Sequence, residues 1–326
     1  MKVIHFFAIT AMAAAMITSC SSEDELSQSN YPSDNIVRVT AGVNNAKTRA
    51  EGTGVSTMDK DFSLTIVNKN APKYTYIDKV FSKKSDEWTC SETLLWQNAT
   101  QAVDIVAFAP AQVDKFNGVY ADGSIKPITY SIATDQSTSS DNNDLLYYYA
   151  PGFKPGDKLV DEKLNIQFNH AFCMIDINVT LGTEFNKPKV LDDSPIIKVT
   201  LGGTKIAANV DVKNATSIVT ASGEATNITT TQGTFTPAPD KNAEKNAISR
   251  FSCIAIPQTV AAGTFKVSLM TAGKLYEWTS AEPVELKSGY RYTLELTMGN
   301  NVVLLKDDKI TASPWTEGTG GTLETD

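Results

Sequence analysis

Histidine is nearly missing: His5 and His170 are the only two in 326 residues. His5 falls in an apolar N-terminal run, so the rest of the chain has one imidazole, too little for a multi-histidine metal centre and a poor basis for a Ser–His–Asp triad. Cysteine is scarce too. After Cys20 come Cys90, Cys173 and Cys253, an odd number with no Cys-x-x-Cys pair, which removes the usual zinc spacings. Cys173 and Cys253 lie in alternating apolar runs and read as small buried hydrophobes. An oxidising compartment would permit one disulfide, but the sequence does not say which pair, and none is the simpler reading. Positive charge is also short: 29 Lys and Arg against 37 Asp and Glu leave a net charge of −8. With no basic stripe to grip phosphates, nucleic acid is not an expected partner. Helical periodicity is weak throughout.

What is present begins at the N-terminus. Lys2 precedes an apolar core from Val3 to Ile17, which closes on Met16-Ile17-Thr18-Ser19-Cys20. A basic start, an apolar stretch, a branched aliphatic and two small residues before a cysteine form a bacterial lipoprotein signal. Small flanking side chains suit the protease that cuts before a lipidated thiol, so residues 1–19 are expected to leave and Cys20 to carry lipid. A membrane-spanning helix is the competing reading. The run is slightly short for a core about 30 Å thick, and His5 interrupts it. Acyl chains, at about 0.8 kcal/mol per buried methylene, would make the tether effectively permanent. The acidic residues after it, Ser21-Ser22-Glu23-Asp24-Glu25, resemble the surface-export tag of Bacteroidota lipoproteins; an ordinary solvated tether is equally consistent.

Beyond a polar tether from Ser21 to Asp34, period-two runs bounded by turn residues dominate. Ile36 to Val43 places Val37, Val39, Ala41 and Val43 on one face. Further strands are expected at Phe62–Val67, Ala102–Ala109, Leu164–Phe168, Ala171–Thr180, Ile196–Leu201, Ala207–Val212 and Ser217–Ala221. Others follow at Phe251–Ile256, Thr264–Met270, Tyr290–Met298 and Val302–Leu305. Many are rich in Thr, Val and Ile. The expected class is all-β, built as sandwiches. The expected domains are 50–161 and 162–326, divided near Asp161 after the Pro151–Pro155 turn cluster and preceded by residues 20–49 with the tether and the first strand.

No catalytic constellation emerges. The carboxylate pairs Asp192-Asp193 and Asp307-Asp308, with the Glu23–Glu25 run, lie in turns or the tether and read as solvated charge rather than a glycosidase pair. Asp141, Asn142, Asn143 and Asp144 could offer oxygens to calcium but lack EF-hand spacing. His170, in Phe168-Asn169-His170-Ala171-Phe172, shares a strand face with both phenylalanines and reads as a hydrogen-bonded packing residue. The Asn-x-Thr triplets at Asn98, Asn178, Asn214 and Asn227 matter only where N-glycosylation machinery exists. Gly318–Gly321 follows no strand–helix unit, so it is no phosphate loop. Lys47-Thr48-Arg49-Ala50-Glu51-Gly52 follows the first strand as a polar loop, an accessible place for cleavage after Arg49, although on spacing alone an uncut loop that contains an arginine is the commoner case.

Several segments, in order along nearly the whole chain, resemble the fimbrillin family of Bacteroidota, the Mfa-like branch of type V pilins. They are the Cys20 lipobox, Thr48-Arg49-Ala50, Val103 to Pro110, Asp144-Leu145-Leu146-Tyr147-Tyr148, Phe168 to Phe172, Gly289 to Leu294, and Ile310 to Gly318 with its Pro314-Trp315. The resemblance implies two transthyretin-like β-sandwich domains, export as an outer-membrane lipoprotein, and loss of an N-terminal strand after an arginine. It also implies assembly with other fimbrial subunits by donor-strand exchange, at the cell surface, for adhesion. Carried over by position, Cys20 is the lipidation site and Arg49–Ala50 the maturation cut. With eleven residues after Trp315, Val302, Val303, Leu304 and Leu305 form the candidate donor, the alternative being an internal strand of the second domain. Neither an enzymatic activity, a cofactor nor a metal is expected. The alternative is a surface lipoprotein that never polymerises and binds glycan or protein through aromatics such as Trp88, Trp96 and Tyr147–Tyr149.

Overall fold

Alternating apolar and polar residues ask for pleated strands with one face inward, and the chain obeys almost everywhere. The computed structural model describes residues 30–44, 55–111, 120–121, 123–138, 143–185, 189–240, 246–299, 302–306 and 309–315. The strands are β1 (Arg38–Asn44), β2 (Val55–Thr57), β3 (Phe62–Val67), β4 (Tyr76–Lys84), β5 (Glu87–Cys90) and β6 (Val103–Ala109). Then come β7 (Tyr120–Ala121), β8 (Ser124–Ile125), β9 (Ile128–Ser131), β10 (Leu146–Phe153) and β11 (Lys163–His170). The remainder are β12 (Cys173–Leu181), β13 (Ile196–Val210), β14 (Val219–Thr229), β15 (Thr231–Thr236), β16 (Ile248–Ala255) and β17 (Gln258–Val260). They continue with β18 (Lys266–Thr271), β19 (Leu275–Thr279), β20 (Val284–Leu286), β21 (Tyr290–Met298), β22 (Val303–Leu305) and β23 (Thr311–Pro314). The fold is all-β, with one short α-helix, Pro155–Lys158, among the described residues.

Two hydrophobic cores organise these strands. The first is enclosed by an eight-stranded sheet in the order β2-β1-β11-β10-β6-β3-β4-β5. That sheet curls until its ends meet: Val37 N–H donates to Leu94 O at 2.9 Å and Trp96 N–H to Asn35 O at 2.8 Å, just beyond β5. The second core lies between a sheet ordered β15-β16-β12-β21-β22, with β23 also on β21, and another ordered β14-β13-β18-β19, with β9 on β13.

Strands β3 and β6 serve both cores. Ile105 and Ala107 enter the first, while Val106 and Phe108 enter the second. That explains why Val103–Ala109 reads as a nearly continuous apolar run rather than an alternation, as strands covered on both faces do.

The turn expected to separate the domains near Asp161 leads instead straight into β11, which stays in the first sheet. Val160 and Lys163 exchange backbone hydrogen bonds at 3.0 and 2.9 Å around Asp161 and Glu162, both in the left-handed region. The chain passes to the second core only at Ala171, and β9 had already joined that core's sheet earlier in sequence. A turn signal reports that the chain reverses, not which sheet receives it. The runs 196–201 and 207–212 likewise merge into the single bulged β13. Gly203 sits at one bulge with φ +86°, where an added Cβ would lie 2.1 Å from Thr264 O.

Ile175 is fully buried between Cys253 on β16 and Tyr292 on β21. Ile175→Asp should bury an unpaired charge and abolish the cooperative melt. Gly203→Ala should lower the urea midpoint by the equivalent of about 1–3 kcal/mol. Both are read by far-ultraviolet circular dichroism, whose native spectrum should be that of β-sheet.

Candidate assembly groove

β1 occupies a seat that distant segments of the chain build. It runs parallel to β11, with Val39, Ala41 and Val43 in register with Leu164, Ile166 and Phe168. Those three β11 residues are fully buried, and Val37, Val39 and Val43 are nearly so. Period two puts the valines over the core and leaves Thr40 and Asn44 outside. On its other side β1 pairs antiparallel with β2.

Both ends of β1 are pinned by polar groups. Upstream, Asn35 adopts φ 57° and accepts a hydrogen bond from Tyr31 Oη at 2.7 Å. Arg38 Nη1 donates to Asp34 Oδ1 at 3.0 Å, and Nη2 bonds the other oxygen. These bonds from Arg38 hold the Asp34 carboxyl down at about 2. A carboxylate lowered in the folded state contributes its full stability above the unfolded value of 3.8 and loses it as pH falls through about 2. Downstream, Asn44 Nδ2 donates to Asn169 Oδ1 at 3.0 Å. Thr40 Oγ1 donates to Asn165 Oδ1 at 3.3 Å on the outer face.

Lifting β1 out would bare the backbone edge of β11 and the apolar side chains beneath. An unpaired edge above an apolar trench is a template for another strand. Register partners Asn44 and Val55 are linked by residues 45–54, at whose middle in sequence stand Arg49 and Ala50. Arg49, Ala50 and Cys20 lie outside the described residues, so their surroundings are not defined here. The other three arginines, Arg38, Arg250 and Arg291, are each inside paired strands.

The expected donor, Val302–Leu305, is seated in the subunit itself. Val303, Leu304 and Leu305 pair with Met298, Thr297 and Leu296 of β21. Val303 is buried, whereas Val302 and Leu304 are 49% and 59% exposed.

The remaining candidates are structural. His170 is buried, its Nδ1 2.8 Å from Asp144 Oδ2, with the Trp315 ring stacked on it at 3.8 Å between centroids. It shares its inward face with Phe168, but Phe172 belongs to the second core because the chain changes cores at Ala171. Asn143 Oδ1 accepts Ala133 N–H at 2.6 Å, so Asn143 and Asp144 are committed to packing; Asp141 and Asn142 lie outside the described residues. Among the described residues no three His, Cys, Asp or Glu side chains are grouped to hold a metal. Asp192 reaches only Lys189, at 3.4 Å on the surface. Cys90, Cys173 and Cys253 are free, and burial pushes the Cys173 and Cys253 thiols up, away from nucleophilic use. The proposed sugar-stacking aromatics are engaged elsewhere. Trp96 is buried against Phe153, Trp88 packs on Phe62, and Tyr147 and Tyr149 cover the second core.

One residue group escaped sequence reading: Asn44, Asn165 and Asn169, whose amides tie β1 to β11. Only their placement at polar positions of two distant strands hinted at it. If the Asp34–Arg38 pair anchors the entry to β1, hydrogen exchange at Val37–Thr40 should quicken below about pH 4. In Asp34→Asn the same amides should exchange faster at neutral pH and lose that acid dependence.

The sequence matches the fimbrillin-like family over residues 45–315. Among solved structures, a candidate cell adhesion protein from Bacteroides ovatus ATCC 8483 superposes with a TM-score of 0.59 at 14% identity. The alignment covers 87% of this chain and 98% of that one. A second candidate cell adhesion protein, from Bacteroides uniformis ATCC 8492, gives 0.57 at 16% identity, with coverage of 87% and 100%. A fimbrial protein from Bacteroides vulgatus ATCC 8482 gives 0.50 at 16% identity, with coverage of 87% and 99%. At these identities the likeness is one of fold. No curated protein matches the chain. The family match, by contrast, spans well over half of the sequence: the chain belongs to the fimbrillin-like family.

Proposed function

We propose that this protein is a fimbrial subunit, exported as a lipoprotein through Cys20, cut between Arg49 and Ala50, and assembled by exchange of β1 for a strand of a neighbouring subunit. Family membership supports the fimbrial role at the cell surface. We read the two cores as the two sandwich domains that the resemblance implies. No enzymatic role is assigned.

The observation that carries the reading is the seat of β1. Burying Val37, Val39 and Val43 stabilises by about 5–9 kcal/mol. Ordering the seven residues of β1 costs about 7–14 kcal/mol. Sheet hydrogen bonds and the covalent link therefore decide whether the strand stays. While attached, β1 competes at the high effective concentration of an intramolecular segment. Once cut, it competes as a free peptide, and a neighbouring strand can replace it. Proteolysis is then a one-way trigger. An arginine-specific protease would find Arg38, Arg250 and Arg291 protected within strands, leaving Arg49 as its target. Val302, Val303, Leu304 and Leu305 remain the proposed incoming strand. Three residue pairs hold β22, a small number to release, and Val302 and Leu304 already face solvent.

Wild type and Arg49→Ala expressed side by side test the trigger. Wild type should begin at Ala50 after maturation and give boiling-resistant multimers on a denaturing gel. Arg49→Ala should fold, keep residues 20–49 and give none. Equal multimers from the uncut variant would rule the mechanism out. Cys20→Ala should leave precursor or soluble protein and no surface material; unchanged outer-membrane partitioning would refute lipidation.

A further inference from the structure

β2 has a feature that the exchange of β1 does not by itself require. Among the described strands it pairs with β1 and with no other: Asn44, Val43 and Gly42 face Val55, Ser56 and Thr57. Removing β1 therefore leaves β2 with no sheet. It would not drift far, because Met58, the next residue, is 3% exposed within the first core. The segment is thus fixed at its downstream end beside the vacated seat, with its backbone donors and acceptors unspent.

We infer that β2 is a reusable clamp: it closes over whichever extended strand of a second copy fills the seat of β1, pairing with that strand's outer edge. This rests on the reading of β1 as the removable strand. A strand laid against β11 alone would present its other edge to solvent, open to further pairing or to fraying. β2 covers that edge where β1 now carries Gly42 to Asn44. Because the clamp engages backbone rather than side chains, it suits an incoming strand whose sequence differs from that of β1. It also places Val55 to Thr57 at the subunit junction.

The test uses the whole Cys20→Ala protein, nicked after Arg49 by an arginine-specific protease. The resident β1 peptide is exchanged for a fluorescent peptide of residues 30–49, and release of the probe is followed by anisotropy after adding unlabelled peptide. In an antiparallel pair only alternate residues donate to the partner. Ser56→Pro/Thr57→Pro therefore removes at least one clamp donor whichever phase holds. Each lost bond changes the equilibrium by roughly a few-fold to tenfold, and the distorted backbone loses the rest of the pairing. The expected result is release about tenfold faster in the double proline variant. Ser56→Ala/Thr57→Ala, which keeps both N–H groups, should match wild type. Amides of residues 55–57 should be protected from hydrogen exchange with peptide bound and unprotected without it. Equal release rates for the proline variant and wild type would overturn the clamp, as would equally fast release from the alanine variant. Nicked wild type that neither releases β1 nor takes up the probe would instead overturn the removable-strand reading, and the clamp with it.

Discussion

The edge of β11 must be covered. Leu164, Ile166 and Phe168 project fully buried side chains into the first core, and without β1 the backbone beside them would carry unspent hydrogen-bonding groups. An apolar strand with an open edge is an aggregation site unless something pairs with it. In this subunit β1 does so, running parallel to β11, and the segment entering it also bonds to residues 94–96. Nearly everything proposed about assembly depends on that arrangement. In the proposed assembly this strand would be exchanged for another while the strands around its seat keep their places.

The rest of the molecule keeps that seat rigid. β3 and β6 are buried on both faces, so the first sheet is backed by the second core and cannot relax into the vacated space without disturbing both. In the proposed assembly, close packing of this kind would hold the groove in shape without its occupant. His170 and Trp315 stack where the chain changes cores, and Trp315 N–H donates to Gly289 O at 2.7 Å. The His170–Asp144 pair therefore has a packing role. It ties the end of β11 to the segment entering β10, while the stacked Trp315 follows β23, and it needs no catalytic explanation.

Much of this was legible in the residues. Period-two alternation located eleven of the twenty-three described strands, including β1, because one face of each is wet and the other dry; β4 and β10, whose residues are mostly half-exposed, carry no such contrast. Polar loop chemistry marked 45–54 as a connection. For the aromatics, core packing is the commoner expectation: Trp96 is buried, and Tyr147–Tyr149 are half-buried, Tyr148 against the first core and its two neighbours against the second. The Asn44–Asn169 and Thr40–Asn165 contacts span more than a hundred residues, and no local pattern encodes them.

By itself, the sequence determined the β class, the inward face of strands such as β1, the shortage of catalytic and metal-binding groups, and the family resemblance. These follow from side-chain chemistry and spacing, which are local. Tertiary structure alone decided that β1 pairs with β11 in parallel, that β2 depends on β1, that β9 joins the second core before β11 completes the first, and that Val303 is already seated on β21. Each is a choice of partner between strands far apart in the chain. Such choices are set by which edges and faces remain uncovered once the two cores have closed.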